Sequence, residues 1–136
     1  MRVVLDTNVM LVSIPKLSKY RAIFEGLIQK KYTLIISNEI LTEYEEIIGQ
    51  KANEVVAQNI TNMLISLSNV EKTEIYYRWG LIKVDEEDNK FVDCAIAGSA
   101  DYLVSNDSHF NVLETTDFPE VPVITIEKFL EILKYP

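Results

Sequence analysis

Short β-branched runs alternate with stretches of helical period along this chain, and few folds satisfy that alternation other than a mostly parallel sheet covered by helices on both faces. Val3-Val4-Leu5 opens the pattern and stops at Asp6. Pro15 breaks the chain, Ser18 is placed to cap a helix with Ile23, Leu27 and Ile28 on its inner face, and Thr33 to Ile36 reads as the next strand. Ser37 then caps a helix ending near Gly49, with Ile40, Leu41, Tyr44, Ile47 and Ile48 as its apolar stripe. Val55, Val56, Ile60, Met63, Leu64 and Leu67 keep the same period in a second, longer helix. Thr73 to Tyr77 and Leu81 to Val84 read as short extended pieces. Asp85-Glu86-Glu87-Asp88 leads into a helix with Phe91, Val92, Ala95 and Ile96 inward, and Asp101 to Ser105 forms a strand that ends at Asn106-Asp107. A turn at Pro119, a strand over Val121 to Thr125 and a helix capped by Thr125, with Ile126, Phe129, Leu130 and Leu133 inward, close the chain.

Its 136 residues, 48% of them apolar, suffice for one domain spanning 1–136, and no Gly/Ser/Pro-rich linker or repeat divides them. The apolar run before Asp6 is too brief for a signal peptide or membrane span, so the expected location is cytoplasmic, without a membrane partner. One cysteine, Cys94, excludes an internal disulfide, and one histidine excludes a Cys/His zinc site. Ligands to any metal are therefore expected to be oxygens. The net charge of −8 argues against a polyanionic partner, yet residues 1–38 carry +4 through Arg2, Lys16, Lys19, Arg21, Lys30 and Lys31. A basic face beside an acidic centre is one reading of that split; lysines that merely solvate a helix are the other.

In open parallel sheets, sites form beyond the carboxyl ends of the strands where strand order reverses. Asp6 and Asp107 both stand at such ends, Asp88 at the start of the intervening helix can reach the same crevice, and Glu43 would approach from the opposite wall. Unpaired carboxylates gathered together repel, so the group calls for a cation, and hard oxygen donors select Mg²⁺ or Mn²⁺. Ordinary roles exist for each residue: Asp88 as a helix cap, Asp107 as a turn residue, Glu43 as one more solvated helix glutamate. Asp6-Thr-Asn is the least easily explained by packing, since it puts polar groups at a probable sheet centre.

Val-Val-Leu-Asp-Thr-Asn-Val at 3–9, Ser37 to Tyr44, Asp-Asn-Lys-Phe-Val-Asp-Cys-Ala at 88–95 and Ala-Asp-Tyr-Leu-Val-Ser-Asn-Asp at 100–107 together resemble the PIN-domain family, over the whole chain and in the family's order. The likeness is to its bacterial toxin–antitoxin branch. It implies a three-layer α/β/α sandwich with a central parallel sheet, Mg²⁺- or Mn²⁺-dependent ribonuclease activity, a cognate antitoxin partner and, commonly, a homodimer. Position by position, Asp6, Glu43, Asp88 and Asp107 match the four family acids, and Asn8 and Ser105 match supporting polar positions, with serine where many relatives have threonine. Asp93 is a further candidate ligand, although five helical residues from Asp88 is roughly 140° of rotation. Lys16, Lys19 and Arg21 are the candidates for RNA backbone contacts, Tyr20 and Tyr76 for base stacking, and His109 is expected at the surface, within reach of substrate.

Three rival readings were weighed. A haloacid-dehalogenase-type phosphatase needs an acid where Asn8 stands. A response-receiver domain needs an acidic pair near the first strand, which is absent. A PIN fold that binds nucleic acid or protein while cleaving weakly or not at all is the reading to be separated by experiment.

Overall fold

Five strands form one all-parallel sheet in the order β3-β2-β1-β4-β5, in a computed structural model that describes residues 1–135. The elements are β1 (Arg2–Leu5), α1 (Thr7–Ser13), α2 (Arg21–Ile28), β2 (Thr33–Ile36), α3 (Asn38–Lys51), α4 (Glu54–Ser66), β3 (Val70–Lys72), α5 (Asn89–Ala97), β4 (Tyr102–Val104), β5 (Val123–Ile124) and α6 (Ile126–Lys134). Residues Glu86–Asp88 and Ser108–Thr115 form 3-10 segments. β1 pairs with β2 on one side and with β4 on the other, so strand order reverses between β1 and β4. Right-handed crossovers place α1 to α4 on one face of the sheet and α5 on the other, giving the expected α/β/α sandwich.

The central strands are apolar because both faces are covered: Val3, Val4, Leu5, Leu34, Ile35, Leu103 and Val104 are fully buried. α6 closes the first face against α2, where Tyr32 and Phe129 meet edge to face with centroids 5.1 Å apart. α5 sits close on the sheet because it ends at Gly98, where an added Cβ would lie 2.6 Å from Ile35 Cγ2. Tyr44 is the largest side chain buried without exposure, and its hydroxyl donates to the Leu5 carbonyl, fixing α3 to the last residue of β1.

Several local expectations are corrected. Residues Thr7–Ser13 form α1, capped by Asp6, where the sequence reading has no helix. Ser18 does not cap α2; Tyr20 occupies that position, and the Ser18 hydroxyl instead accepts from the Tyr20 N–H at 3.1 Å. The third strand is Val70–Lys72, not Thr73–Tyr77, and Leu81–Val84 is not extended in the sheet. β3 is the edge strand; the Thr73 N–H still donates to Ile36 O at 2.8 Å, but β2 ends there and the chain must turn away to reach β4 beyond β1. Side chains of α5 hold the segment that follows: Asp93 Oδ1 accepts the Trp79 N–H at 3.1 Å, and the Asn89 amide bonds Ile82 N and O at 2.8 and 3.0 Å. Among the described residues no helix is long and apolar enough to cross a membrane.

Candidate metal centre

β1 delivers Asp6 to the reversal point. Its N–H donates to Val104 O at 3.2 Å, extending the ladder to β4, and its Oδ1 caps α1 by accepting the Val9 N–H at 2.9 Å. The other oxygen accepts the hydroxyl of Ser105, the residue that follows β4. Asp6 is 7% exposed, and burial pushes its carboxyl above the usual range; Ser105 and Val9 oppose that rise, while the charges of Asp107 and Asp88 add to it. A carboxylate held against both desolvation and like charge is one that a nearby cation would stabilise.

Ser105 links the first acid to the last. While donating to Asp6, its buried hydroxyl accepts the Asp107 N–H at 2.9 Å. Asp107 in turn caps the following 3-10 segment through the His109 N–H, also at 2.9 Å. That turn swings the His109 ring inward, so its Nδ1 lies 2.8 Å from Asp88 Oδ2 and 3.5 Å from Asp107 Oδ1. The hydrogen bond to Asp88 holds the imidazole above its ordinary pKa. Asp88 itself is pushed up, by burial first and then by Asp107 and Asp85, with His109 opposing.

The cap explanation for Asp88 fails on geometry. It occupies the N-cap position of α5, yet its side chain makes no capping bond and faces His109 instead. Asp85, Asp88 and His109 offer ligand atoms that all lie within 4.8 Å of one another. His109 is therefore part of the site and not simply a surface residue, and the candidate donor set includes one nitrogen besides its oxygens. Carboxylates with a single imidazole suit Mn²⁺ and tolerate Mg²⁺. The donor chemistry fits a divalent ion.

Glu43 enters from α3. Its Oε2 accepts the Thr7 hydroxyl and its Oε1 lies 2.7 Å from Lys90 Nζ, so it faces the N-termini of α1 and α5 and not open solvent. Its neighbours behave differently: Glu39 pairs with Arg78 at the surface, and Glu45 and Glu46 are exposed. Asn8 is exposed in the first turn of α1. Asp93 is 2% exposed but is not brought to the other acids; its carboxylate faces Trp79 and the charge of Arg78.

The basic candidates are dispersed. Lys16 and Lys19 are exposed between α1 and α2, the Lys19 ammonium standing 5.0 Å from the Tyr20 ring centroid. Lys19 shares a shallow groove with Glu127 of α6, which in turn accepts from the Asn106 amide at 3.2 Å beside Asp107. Arg21 is spent on structure, donating to the Ile14 carbonyl and lying over the Phe24 ring. Tyr76 is 91% exposed.

Sequence reasoning missed Thr7, Asp85, Lys90 and the inward role of His109. A signal existed for His109, since a capping aspartate bonds the N–H two residues on and so brings that residue back over itself. No local signal marks Lys90, whose partner Glu43 stands 47 residues away.

The family model for the PIN domain matches residues 2–109 of the chain. No curated protein sequence matches it. Among solved structures, one titled VapBC2 from Rickettsia felis bound to a DNA fragment from their promoter is similar at 20% identity and a TM-score of 0.63, covering 92% of this chain and 98% of that one. Another, FitAB bound to an IR36 DNA fragment, is similar at 14% identity and a TM-score of 0.57, covering 91% and 94%.

Proposed function

The chain belongs to the PIN-domain family, and on that footing we propose that it is a metal-dependent endoribonuclease, the toxin of a toxin–antitoxin pair. What supports the proposal is the run of contacts Asp6–Ser105–Asp107–His109–Asp88, which links acids of three separate segments at the point where strand order reverses. Asp6, Asp88 and Asp107 would hold Mg²⁺ or Mn²⁺ between them, with Asp85 and His109 on one side and Glu43 on the other. A divalent ion supplies Lewis-acid polarisation of the phosphate and a water activated for attack, which is why no protein nucleophile is required.

The chain's own residues do the arranging. Ser105 fixes the carboxylate plane of Asp6 and the backbone of Asp107 with one hydroxyl. His109, with Nδ1 2.8 Å from Asp88 Oδ2 and 3.5 Å from Asp107 Oδ1, orients those two carboxylates. Lys16 and Lys19 are exposed, Lys19 beside the Glu127 rim, and are the residues of the N-terminal basic segment left for RNA phosphates. An antitoxin partner is supported by the family resemblance and by the similar folds having been solved in the VapBC2 and FitAB assemblies on DNA. The test is cleavage of RNA by purified protein with Mn²⁺, its loss with chelator, and its loss in Asp6→Asn. Cutting that persists in the chelated sample and in the variant overturns the metal mechanism.

A further inference from the structure

Glu43 is the acid whose placement depends least on its own helix and most on its neighbours. It is one of several glutamates along α3, and nothing in the local sequence separates it from Glu39 or Glu46. Two contacts do. Thr7, buried and adjacent to Asp6, gives its hydroxyl to one carboxylate oxygen, and Lys90, two residues after Asp88, sets its ammonium 2.7 Å from the other. Both side chains of the ion pair are largely covered, Lys90 at 12% and Glu43 at 23% exposure. The Arg78–Glu39 pair on the same helix is 66% and 45% exposed and belongs to the class of surface pairs that contribute little. Lys90 also reaches Glu87 at 3.1 Å, but that glutamate is 81% exposed and well solvated without it.

We propose that Lys90 is a positioning residue of the centre: together with Thr7 it clamps Glu43 by both oxygens, holding it between the start of α1, next to Asp6, and the start of α5, next to Asp88. The inference rests on the nuclease reading and deepens it. A carboxylate oxygen has two acceptor sites, so each oxygen of Glu43 keeps one free for a water or an ion while the clamp sets the plane in which those sites lie. The clamp also ties α3 to the two segments that carry the acids, Thr7 standing beside Asp6 and Lys90 in the first turn of α5. Lys90 neutralises Glu43 as well, so that the fourth acid adds no net charge to a group already repelling itself. Removal of the ammonium would then have two opposite effects. Glu43 would lose its orientation, which slows turnover, and the centre would gain negative charge, which holds a divalent cation more tightly.

The experiment measures Mn²⁺ binding by calorimetry and RNA cleavage by kinetics for wild type, Lys90→Met, Lys90→Arg, Glu43→Gln and the Glu43→Gln/Lys90→Met double variant. Lys90→Met should lower kcat by about ten- to a hundredfold, the size seen when a group orienting a metal ligand is removed, with Mn²⁺ binding unchanged or tighter. Lys90→Arg should recover part of the loss. In the Glu43→Gln background Lys90→Met should change kcat by less than about twofold, because a residue that acts through Glu43 has nothing left to act on. Losses that multiply in the double variant overturn the proposal and make Lys90 a contact to substrate. Weaker Mn²⁺ binding together with a lower melting temperature in Lys90→Met overturns it too, since a purely structural role predicts that pair. Should Lys90→Met not fold, Thr7→Val tests the other jaw of the clamp, with the same kcat loss and the same non-additivity with Glu43→Gln expected. Wild-type protein that neither binds Mn²⁺ nor cuts RNA sinks the nuclease reading itself, whereas wild type that does both beside a multiplicative double variant sinks only the role of Lys90.

Discussion

Ser105→Ala removes one oxygen atom from the centre and should be felt in stability, pH dependence and activity at once. The hydroxyl donates to the buried Asp6 carboxylate and accepts from the Asp107 N–H, and the alanine does neither. A hydrogen bond to a charged group contributes about 1.5–3 kcal/mol, and Asp107, only partly covered, can find water for its N–H, so the metal-free protein should lose about 2 kcal/mol. With 136 residues and an unfolding entropy of about 2.1 cal/mol/K per residue, that loss lowers the melting temperature by about 7 °C. The bond to Ser105 also opposes the upward shift of Asp6, so without it the carboxyl rises further toward protonation. The deficit should therefore grow from about pH 4 to about pH 8 as Asp6 ionises through its raised pKa and comes to need the donor. Urea unfolding at both pH values with chelator present measures it, and RNA cleavage with Mn²⁺ should fall about tenfold as Asp6 and Asp107 lose their common anchor. Ser105→Thr keeps the hydroxyl and should retain activity. A deficit of the same size at both pH values would refute the reasoning, because it would show that the hydroxyl does not act on the charged form of Asp6.

The metal-free protein should lose stability as pH rises above the carboxylate range. Asp6, Asp88 and Asp93 are all pushed up on folding, so the folded chain binds more protons than the unfolded one just above pH 3.8, and stability falls as they ionise. His109, raised above 6.5, adds stability that is complete below that value and lost as pH climbs through its folded pKa, while exposed Glu71, lowered by Arg2, pulls weakly the other way. Mn²⁺ at about a hundred times its Kd should restore about 2.7 kcal/mol at neutral pH; a chelated sample whose melting temperature climbs steadily from about pH 4 to about pH 8 contradicts this. Asp93→Ala should free the Trp79 backbone and shift Trp79 fluorescence, the indole being the chain's only one, while Mn²⁺ affinity stays near wild type. A loss of Mn²⁺ affinity equal to that of Asp88→Asn would instead return Asp93 to the metal.

What was legible in the sequence follows a physical line. β1, β2 and the capped starts of α3 and α6 were readable because local chemistry alone decides them: a β-branched run buried on both faces, or Ser37 and Thr125 offering a side-chain oxygen to a helix start. That Asp6 follows β1, Asp107 follows β4 and Asp88 precedes α5 was readable because strand ends and helix starts meet at the reversal point in any sheet of this class. The failures are places where a distant partner decides. Thr73–Tyr77 has strand composition, but of it only Thr73 bonds to the end of β2, and α5 holds the backbone farther on, at Trp79 and Ile82, through Asp93 and Asn89. α1 was hidden because the polar Asp6-Thr-Asn reads as site chemistry, although Val9, Met10 and Ser13 are buried at helical spacing once Asp6 caps them. The helical rotation between Asp88 and Asp93 already argued for different surroundings, and the structure gives Asp93 to Trp79.

The charge balance takes on a different meaning once the basic residues have places. Of the six cations in residues 1–38, Arg2 is spent on Glu71 at 2.7 and 3.0 Å and on the Gly98 carbonyl, and Arg21 on Ile14 and Glu25. Lys30 and Lys31 precede β2, whose first residue pairs with Arg2, so they lie at the end of the sheet opposite Asp6. The segment that is +4 in sequence is therefore not one basic face in space, and of its six cations Lys16 and Lys19, exposed between α1 and α2, are those left to meet a polyanion. Lys90, the cation nearest the acids, is committed to Glu43. For the proposed RNA substrate, neutralisation by side chains is thus scarce, and each phosphate contact of this kind accounts for a salt slope of only about 0.7 on a single strand. In the proposed nuclease, the positive charge that brings a phosphodiester to Asp6 and Asp88 would come largely from the divalent ion those residues would hold. In such a site the ion is as much the substrate's docking point as its catalyst, and the carboxylates that look hostile to RNA are what make the docking point.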